Sequence, residues 1–474
     1  MIKIKTLLIF FLIGFSSIFI ALANTDDRYW LMWLLPIMYS FLLIIMDISA
    51  GAKSKEIGYR AIKIVMLFRY VLTPISIVAS QYYIGPGPEP SKGTLTLAVG
   101  LMMYELIFVG AGIFIYSLRK KNNSSIEKKD IIGEKNSPLW IFLIISFITI
   151  WLVDIRLIIP NNLITITNEV VRISLDVERA GPIIILRNVF RVIFGMSLLN
   201  SINRLKITNK SKMILSLFSL VLILGLYTSN ARWDTLSISF VGIILLTDMY
   251  PRYSKTITFF IGSILIVALT SVTIYKFLGY TNISVSNSIT IIKEMIEVVS
   301  KQFQVYFSGP RNVALAIDMG KSIDANVGWL INDLFGSFPG LSSFFDQSIR
   351  FNMLFNQYIY SGNVISQIVP LIGIGYVSLG FIFSPIITTL FTLLTLKLND
   401  EYMKRSKILD RYLLIYMIIY TSMCMGMSIQ ILTNKYYAVF FPSLVILSAS
   451  RVILKLFTKQ NAHKYTKPER RVFD

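Results

Sequence analysis

Histidine and cysteine are almost missing from this chain of 474 residues, which has one of each, His463 and Cys424. A single cysteine allows no disulfide within the chain, and its apolar surroundings point to packing. His463 lies in a basic C-terminal tail. The two scarcities exclude a His/Cys metal cluster and leave no histidine placed to act as a base. Charge is scarce as well: 15% of residues are ionic, against ~25% in a soluble globular protein. With 54% of residues hydrophobic, the composition is that of an integral membrane protein. No Walker loop, dinucleotide fingerprint, HExxH or GxSxG element stands where it would matter.

What charge there is has one dominant sign, a net +20. Its distribution argues against nucleic acid as the partner. With the spans given below, 30 of the 46 Lys and Arg fall on cytoplasmic segments. The opposite side holds 11, against 13 Asp and Glu. The basicity is mostly the positive-inside rule.

Apolar runs near the ~20 residues that cross a bilayer recur along the chain. The first, at Met1–Asn24, has the look of a signal peptide, with Ala21-x-Ala23 as a cleavage site. Its length, and the many runs that follow, favour a first transmembrane helix. Further spans are expected at Trp30–Ala50, Ala61–Ile84, Thr94–Ser117, Pro138–Ile159 and from Pro182 onward. A tight hairpin joins Met213–Tyr227 to Thr235–Tyr250, and Thr256–Leu278 follows. The last three are Ile368–Leu396, long enough to include a re-entrant piece, then Tyr412–Leu432 and Tyr436–Phe457. The expected fold is therefore all-α: one polytopic membrane domain of about twelve helices, with both termini cytoplasmic.

One stretch breaks the alternation, Gly279–Asn363, too long for a connection and too polar for a span. Its recurring aromatic and aliphatic residues argue against disorder. Ile289, Ile292, Met295, Ile296, Val299 and Phe303 share one helical face, so an interfacial amphipathic helix is expected. Gly309-Pro310 then breaks it, and Arg311 follows at once.

Arginine and carboxylate at the outer face are what remain to carry chemistry. Arg187 and Arg191, four apart, share one helical face. They suit an anionic lipid head, or else pair with Asp154 or Glu105, or snorkel to the interface. Arg172 lies in an outer loop with Asp176, Glu178 and Arg179. Asp154 and Arg156 read as a structural pair. Arg232 sits in the short hairpin Ser229–Asp234, either as a positioned charge or within an interfacial Trp belt. Arg311 and Asn312 follow the Gly-Pro break, near a helix N-terminus where amides favour anions. Arg350 and Asp346 have the spacing of a local helical ion pair. Asp318, Asp324, Asp333 and Asp346 are each candidates for a base.

These features together resemble the Wzy-type polysaccharide polymerases, which build bacterial O-antigen and capsule chains. The likeness rests on the many-span topology and on the large late loop with Tyr306-Phe-Ser-Gly-Pro-Arg-Asn312. Gln367-Ile-Val-Pro-Leu-Ile-Gly-Ile-Gly-Tyr376 and the hairpin Asn230–Asp234 complete it. The family's arginine-to-glycine spacings do not recur cleanly around Arg311 or Arg350. The resemblance implies a metal-independent glycosyltransferase of the GT-C type, without cofactor, in the bacterial plasma membrane. Its substrates would be oligosaccharide repeat units on undecaprenyl diphosphate, its neighbours membrane lipids, a flippase and a chain-length regulator. Laid over the residues above, it implies a catalytic set of Arg232, Arg311, Asp318 and Arg350. Arg172, Arg187, Arg191 and Asn312 would bind substrate. The related O-antigen ligases use a histidine in the large loop, and this chain has none there. A transporter for the same lipid-linked sugar is the rival reading, opposed by the 85-residue loop and the lack of visible repeats.

Overall fold

Apolar runs without water must satisfy their own backbone groups, and helices do so within one segment. The computed structural model describes residues 4–51, 56–120, 131–154, 157, 177–227, 232–280, 288–323, 325–338, 340–346, 348–360 and 367–465. These residues are nearly all helical, with one isolated β-bridge between Ile132 and Lys407. In chain order the first helices are α1 (Ile4–Ala23), α2 (Leu34–Ala50), α3 (Ile57–Leu67), α4 (Thr73–Ser80) and α5 (Lys92–Lys120). Next come α6 (Ser137–Asp154), α7 (Val177–Asn203), α8 (Asn209–Tyr227), α9 (Arg232–Met249) and α10 (Ser254–Tyr280). Four more helices follow: α11 (Ser288–Tyr306), α12 (Pro310–Ser322), α13 (Val327–Phe335) and α14 (Phe351–Tyr360). The chain ends with α15 (Leu371–Phe383), α16 (Ile386–Lys404), α17 (Ile408–Ser422), α18 (Ile429–Lys435) and α19 (Phe441–Tyr465).

Among the described residues, seven helical stretches are long and apolar enough to cross a membrane, and the bent pair α15–α16 adds an eighth. Their outer faces are apolar and exposed, as on α6, where Ile141, Ile144, Ile145, Trp151 and Leu152 all point outward. Only lipid covers such a face without penalty. The chain is an all-α, multi-pass membrane protein.

Three helices are interrupted, each for a local reason. Pro74 has no N–H for the Tyr70 carbonyl, and α3 passes into α4 through a π-turn at Phe68–Leu72. The backbone leaves helical geometry at Gly380 (φ 76°) near the end of α15, and α16, which begins after Pro385, leaves at 105° to it. Gly375 lets the break close: a Cβ there would lie 2.1 Å from the Ser384 carbonyl oxygen. Past α17 the chain turns at Met423–Ser428, and the apolar helical stretch then runs from Ile429 to Thr458. The expected turn at Thr433–Lys435 is helical instead. The ammonium of Lys435, half-buried there, lies 4.9 Å from the centre of the Tyr420 ring.

The chain divides into two compact units. The first comprises Met1–Glu127, Phe277–Met403 and Met417–Lys435. Within it α2 packs on α5, α11 on α4, α12 on α5 and α15, and α13 on α15 and α18. Phe307 of the α11–α12 connection stacks on Phe68 at 4.8 Å, at the π-turn. On α11 the polar Ser300 and Gln304 turn inward while Ile296 and Val299 are exposed, the reverse of a helix on a soluble core. The second unit comprises Lys128–Lys276, Lys404–Tyr416 and Tyr436–Asp474. Here α6, α7, α8 and α9 pack in succession, and α19 packs on α6 and α7. Glu134 ties its basic residues together, accepting from Lys407 at 2.8 Å and from Arg451 at 2.5 Å.

Candidate functional site

Proline cannot donate, so a Gly-Pro-Gly-Pro turn presents carbonyls that few of its own amides can answer. Arg311, in the first turn of α12, answers them. Its guanidinium donates to the carbonyls of Pro86 at 2.7 Å, Gly85 at 3.0 Å, Pro88 at 3.2 Å and Gly87 at 3.4 Å. The side chain is buried, and burial holds its pKa below the usual arginine range. The planar fork is committed to the Gly85–Pro88 turn. Asn312 beside it donates to the Gln304 carbonyl at 3.3 Å and lies 3.5 Å from Gln367 Oε1. Gln367 is itself held in both directions by Asn356, at 2.9 Å each way. This buried amide network joins α11, α12 and α14 to the segment before α15.

The four candidate carboxylates of this region are not equivalent. Asp318 accepts from Thr94 Oγ1 at 3.0 Å and from Lys321 at 2.7 Å, and Lys321 is exposed. Asp346 is exposed and accepts from the Ser348 amide at 2.8 Å and hydroxyl at 2.7 Å, which hold its pKa below the usual value. Asp324 lies outside the described residues. Asp333, near the end of α13, is fully buried, and neither carboxylate oxygen meets a donor in hydrogen-bonding geometry. Burial pushes its pKa up to about 7, against the opposing pull of Arg350 and of the Phe351 amide.

Arg350 does not pair with Asp346 as their spacing predicted, because the chain between them is a turn and not a helix. It reaches back to α13 instead, donating to the Gly336 carbonyl and to Ser337 Oγ at 3.1 Å. Its Nε has no acceptor. Gly336 is required here: a Cβ would lie 2.7 Å from Arg350 Nη2 and 2.5 Å from the Asn332 carbonyl oxygen. Asn332 donates to the Asp346 carbonyl at 2.7 Å, so both ends of the turn are tied to α13. Trp329 and Phe351, with ring centres 5.9 Å apart, complete the surroundings.

The first unit thus holds Arg311, Asn312, Asp318 and Arg350. The second holds Arg187 and Arg191 on α7. Arg191 is buried with its guanidinium 5.4 Å from the centre of the Tyr227 ring. Asp234, in the first turn of α9, is the carboxylate whose charge reaches both arginines. Glu105, one of the partners expected for them, is held by another residue. Arg232 opens α9, but its side chain lies outside the described residues, as do Arg172, Arg156 and the tip of the hairpin.

Sequence reasoning passed over the residue that holds Glu105. Arg69 pairs with it at 3.1 Å, and Tyr70 and Thr388 donate to the same carboxylate at 2.7 Å each. Arg69 also donates to the Met425 carbonyl. The three interrupted helices meet at this buried knot. The signal was present, one charge of each sign inside adjacent apolar spans. Among the described residues, no three His, Cys, Asp or Glu side chains converge as metal ligands. No protein-family model, no curated protein and no solved structure matches this chain.

Proposed function

We propose that this protein is a polysaccharide polymerase that joins oligosaccharide repeat units carried on undecaprenyl diphosphate. One observation carries the reading. The stretch between two apolar spans holds, among its described residues, four helices with a buried carboxyl and two buried arginines. A long insert built to hold ionic groups away from water is a platform for chemistry. The exposed stripe Val327, Ile331 and Phe335 on α13 suits such a platform to a membrane interface.

In this reading α1, α9, α10 and α17 join the eight apolar stretches to give twelve spans, with α11 to α14 on the outer face. The charge split sets both termini in the cytoplasm of a bacterial cell, and the plasma membrane is the location. The growing chain leaves its carrier for the terminal hydroxyl of the next repeat unit. The hydroxyl oxygen bonds to the anomeric carbon, and undecaprenyl diphosphate departs with the electron pair of the broken bond. Arginine offsets the charge that develops on the diphosphate. Arg187, Arg191 and Arg232 are the candidates in the second unit, and Arg350 is the candidate in the first. A flippase would supply the repeat units, and a chain-length regulator would act beside the enzyme. The product is O-antigen, capsule or another exopolysaccharide.

The test is direct. Purified protein in detergent, given lipid-linked repeat units, should produce a ladder of longer chains with a chelator present. Folded protein that leaves every unit unextended would end the reading.

A transporter of the same lipid-linked sugar is the second reading, favoured by the Arg69–Glu105 knot. Broken helices meeting at a buried ionic group are how many transporters build a site. Movement of the lipid across sealed vesicles without chain extension would select it.

A further inference from the structure

A reaction that makes a bond from a hydroxyl needs a group to take its proton, and the fold separates the available carboxylates. Asp346 is exposed and spends one oxygen on Ser348, and Asp318 is paired with Lys321. Asp333 alone among the described three is buried with neither oxygen in good hydrogen-bonding geometry, the Phe351 amide being the one donor that acts on it. A buried carboxylate this poorly answered is expensive, so its persistence calls for a role. Arg350 relieves it only in part, through its charge, because its hydrogen bonds go to Gly336 and Ser337.

Resting on the polymerase reading, we infer that Asp333 is the carboxylate that accepts the proton of the attacking sugar hydroxyl. The balance is complete within the reaction. The hydroxyl proton passes to Asp333, its oxygen bonds to the anomeric carbon, and the bond from that carbon to the diphosphate oxygen breaks. Asp333 then returns the proton to water. Asp333 is fully buried, so a sugar reaches it only if the chain beside it opens, and Arg350 ties Gly336 and Ser337 just after α13.

A base works best when its pKa lies near the working pH, and about 7 meets that condition. The elements packed on α13 bring one phenol, Tyr376 of α15, and one ammonium, Lys435 of α18. Only the charge of Arg350 acts on Asp333.

The experiment compares wild type, Asp333→Asn, Asp333→Glu and Asp318→Asn as full-length protein in detergent, by initial rate of ladder formation across pH 5.5–8.5. Wild type should speed up through about pH 7 and then level. Asp333→Asn should fall by about 10²–10⁴-fold with donor binding retained, and Asp333→Glu should keep part of the rate with a shifted midpoint. Infrared spectra read the same site without activity: a protonated-carboxyl band should fade near pH 7 in wild type and be missing from Asp333→Asn. Ladders from Asp333→Asn within threefold of wild type would overturn the inference while leaving the polymerase reading intact. Loss in Asp318→Asn alone would move the role to that residue. No ladder from wild type would instead remove the polymerase reading itself.

Discussion

Arg69 and Glu105 pair at 3.1 Å with neither side chain reaching solvent. Each sits in its own apolar span, so neither can ionise cheaply without the other. The pair gathers a π-turn, a broken helix and a second helix break around one carboxylate. Removing one partner strands a charge, whereas removing both does not. Arg69→Met or Glu105→Gln alone should therefore cost about 3–5 kcal/mol, and the double variant clearly less than the sum. Thermal unfolding in detergent reads this. Additive losses would mean that the two charges are not coupled.

Asp333 predicts how stability varies with pH. Its folded pKa is raised from 3.8 to about 7, so the folded protein holds this proton more tightly than the unfolded chain does. The associated stability is complete below about pH 4, declines as pH rises toward 7, and is then gone. A shift of this size corresponds to on the order of 4 kcal/mol across the window. Asp333→Asn cannot ionise, so its melting temperature should lack that decline. Parallel pH curves for the two proteins would show that the carboxyl is solvated.

Much of this was legible and some was not, for physical reasons. Hydrophobic runs located the helices because lipid-facing segments must be apolar whatever their neighbours are. Gly309-Pro310 marked the start of α12 because a proline without an N–H fits a first helical turn. The turn at Met423–Ser428 escaped notice because its residues are as apolar as the helices beside it. Arg311 stands where a helix N-terminus favours anions, yet its acceptors are carbonyls over 220 positions away, which no local pattern contains. Asp333 looked like any of four carboxylates, since the groups that act on it, Arg350 and the Phe351 amide, lie across a turn that spacing alone does not fold.

The cage around Arg311 yields a prediction of its own. An ammonium is a point donor and cannot span four carbonyls as a planar fork does. Arg311→Lys should keep the charge but release part of the Gly85–Pro88 turn. The melting temperature in detergent should fall while helicity is kept. An unchanged melting temperature would mean that the turn holds itself.

Topology is the remaining prediction, and it bears on everything proposed for the α11–α14 segment. Thirty of the 46 basic residues fall on segments assigned to the cytoplasm, and 11 on the other side. Short loops rich in Lys and Arg stay inside. Reporter fusions after residues 130 and 405 should therefore report cytoplasm, and fusions near 170 and 325 should report the outside. The position near 325 is decisive, because it lies between α12 and α13. Sugars on a lipid carrier that has been flipped outward are reachable only from that side. A cytoplasmic signal at 325 would put Asp333 and Arg350 on the wrong face of the membrane, and no ladder could then be assigned to them.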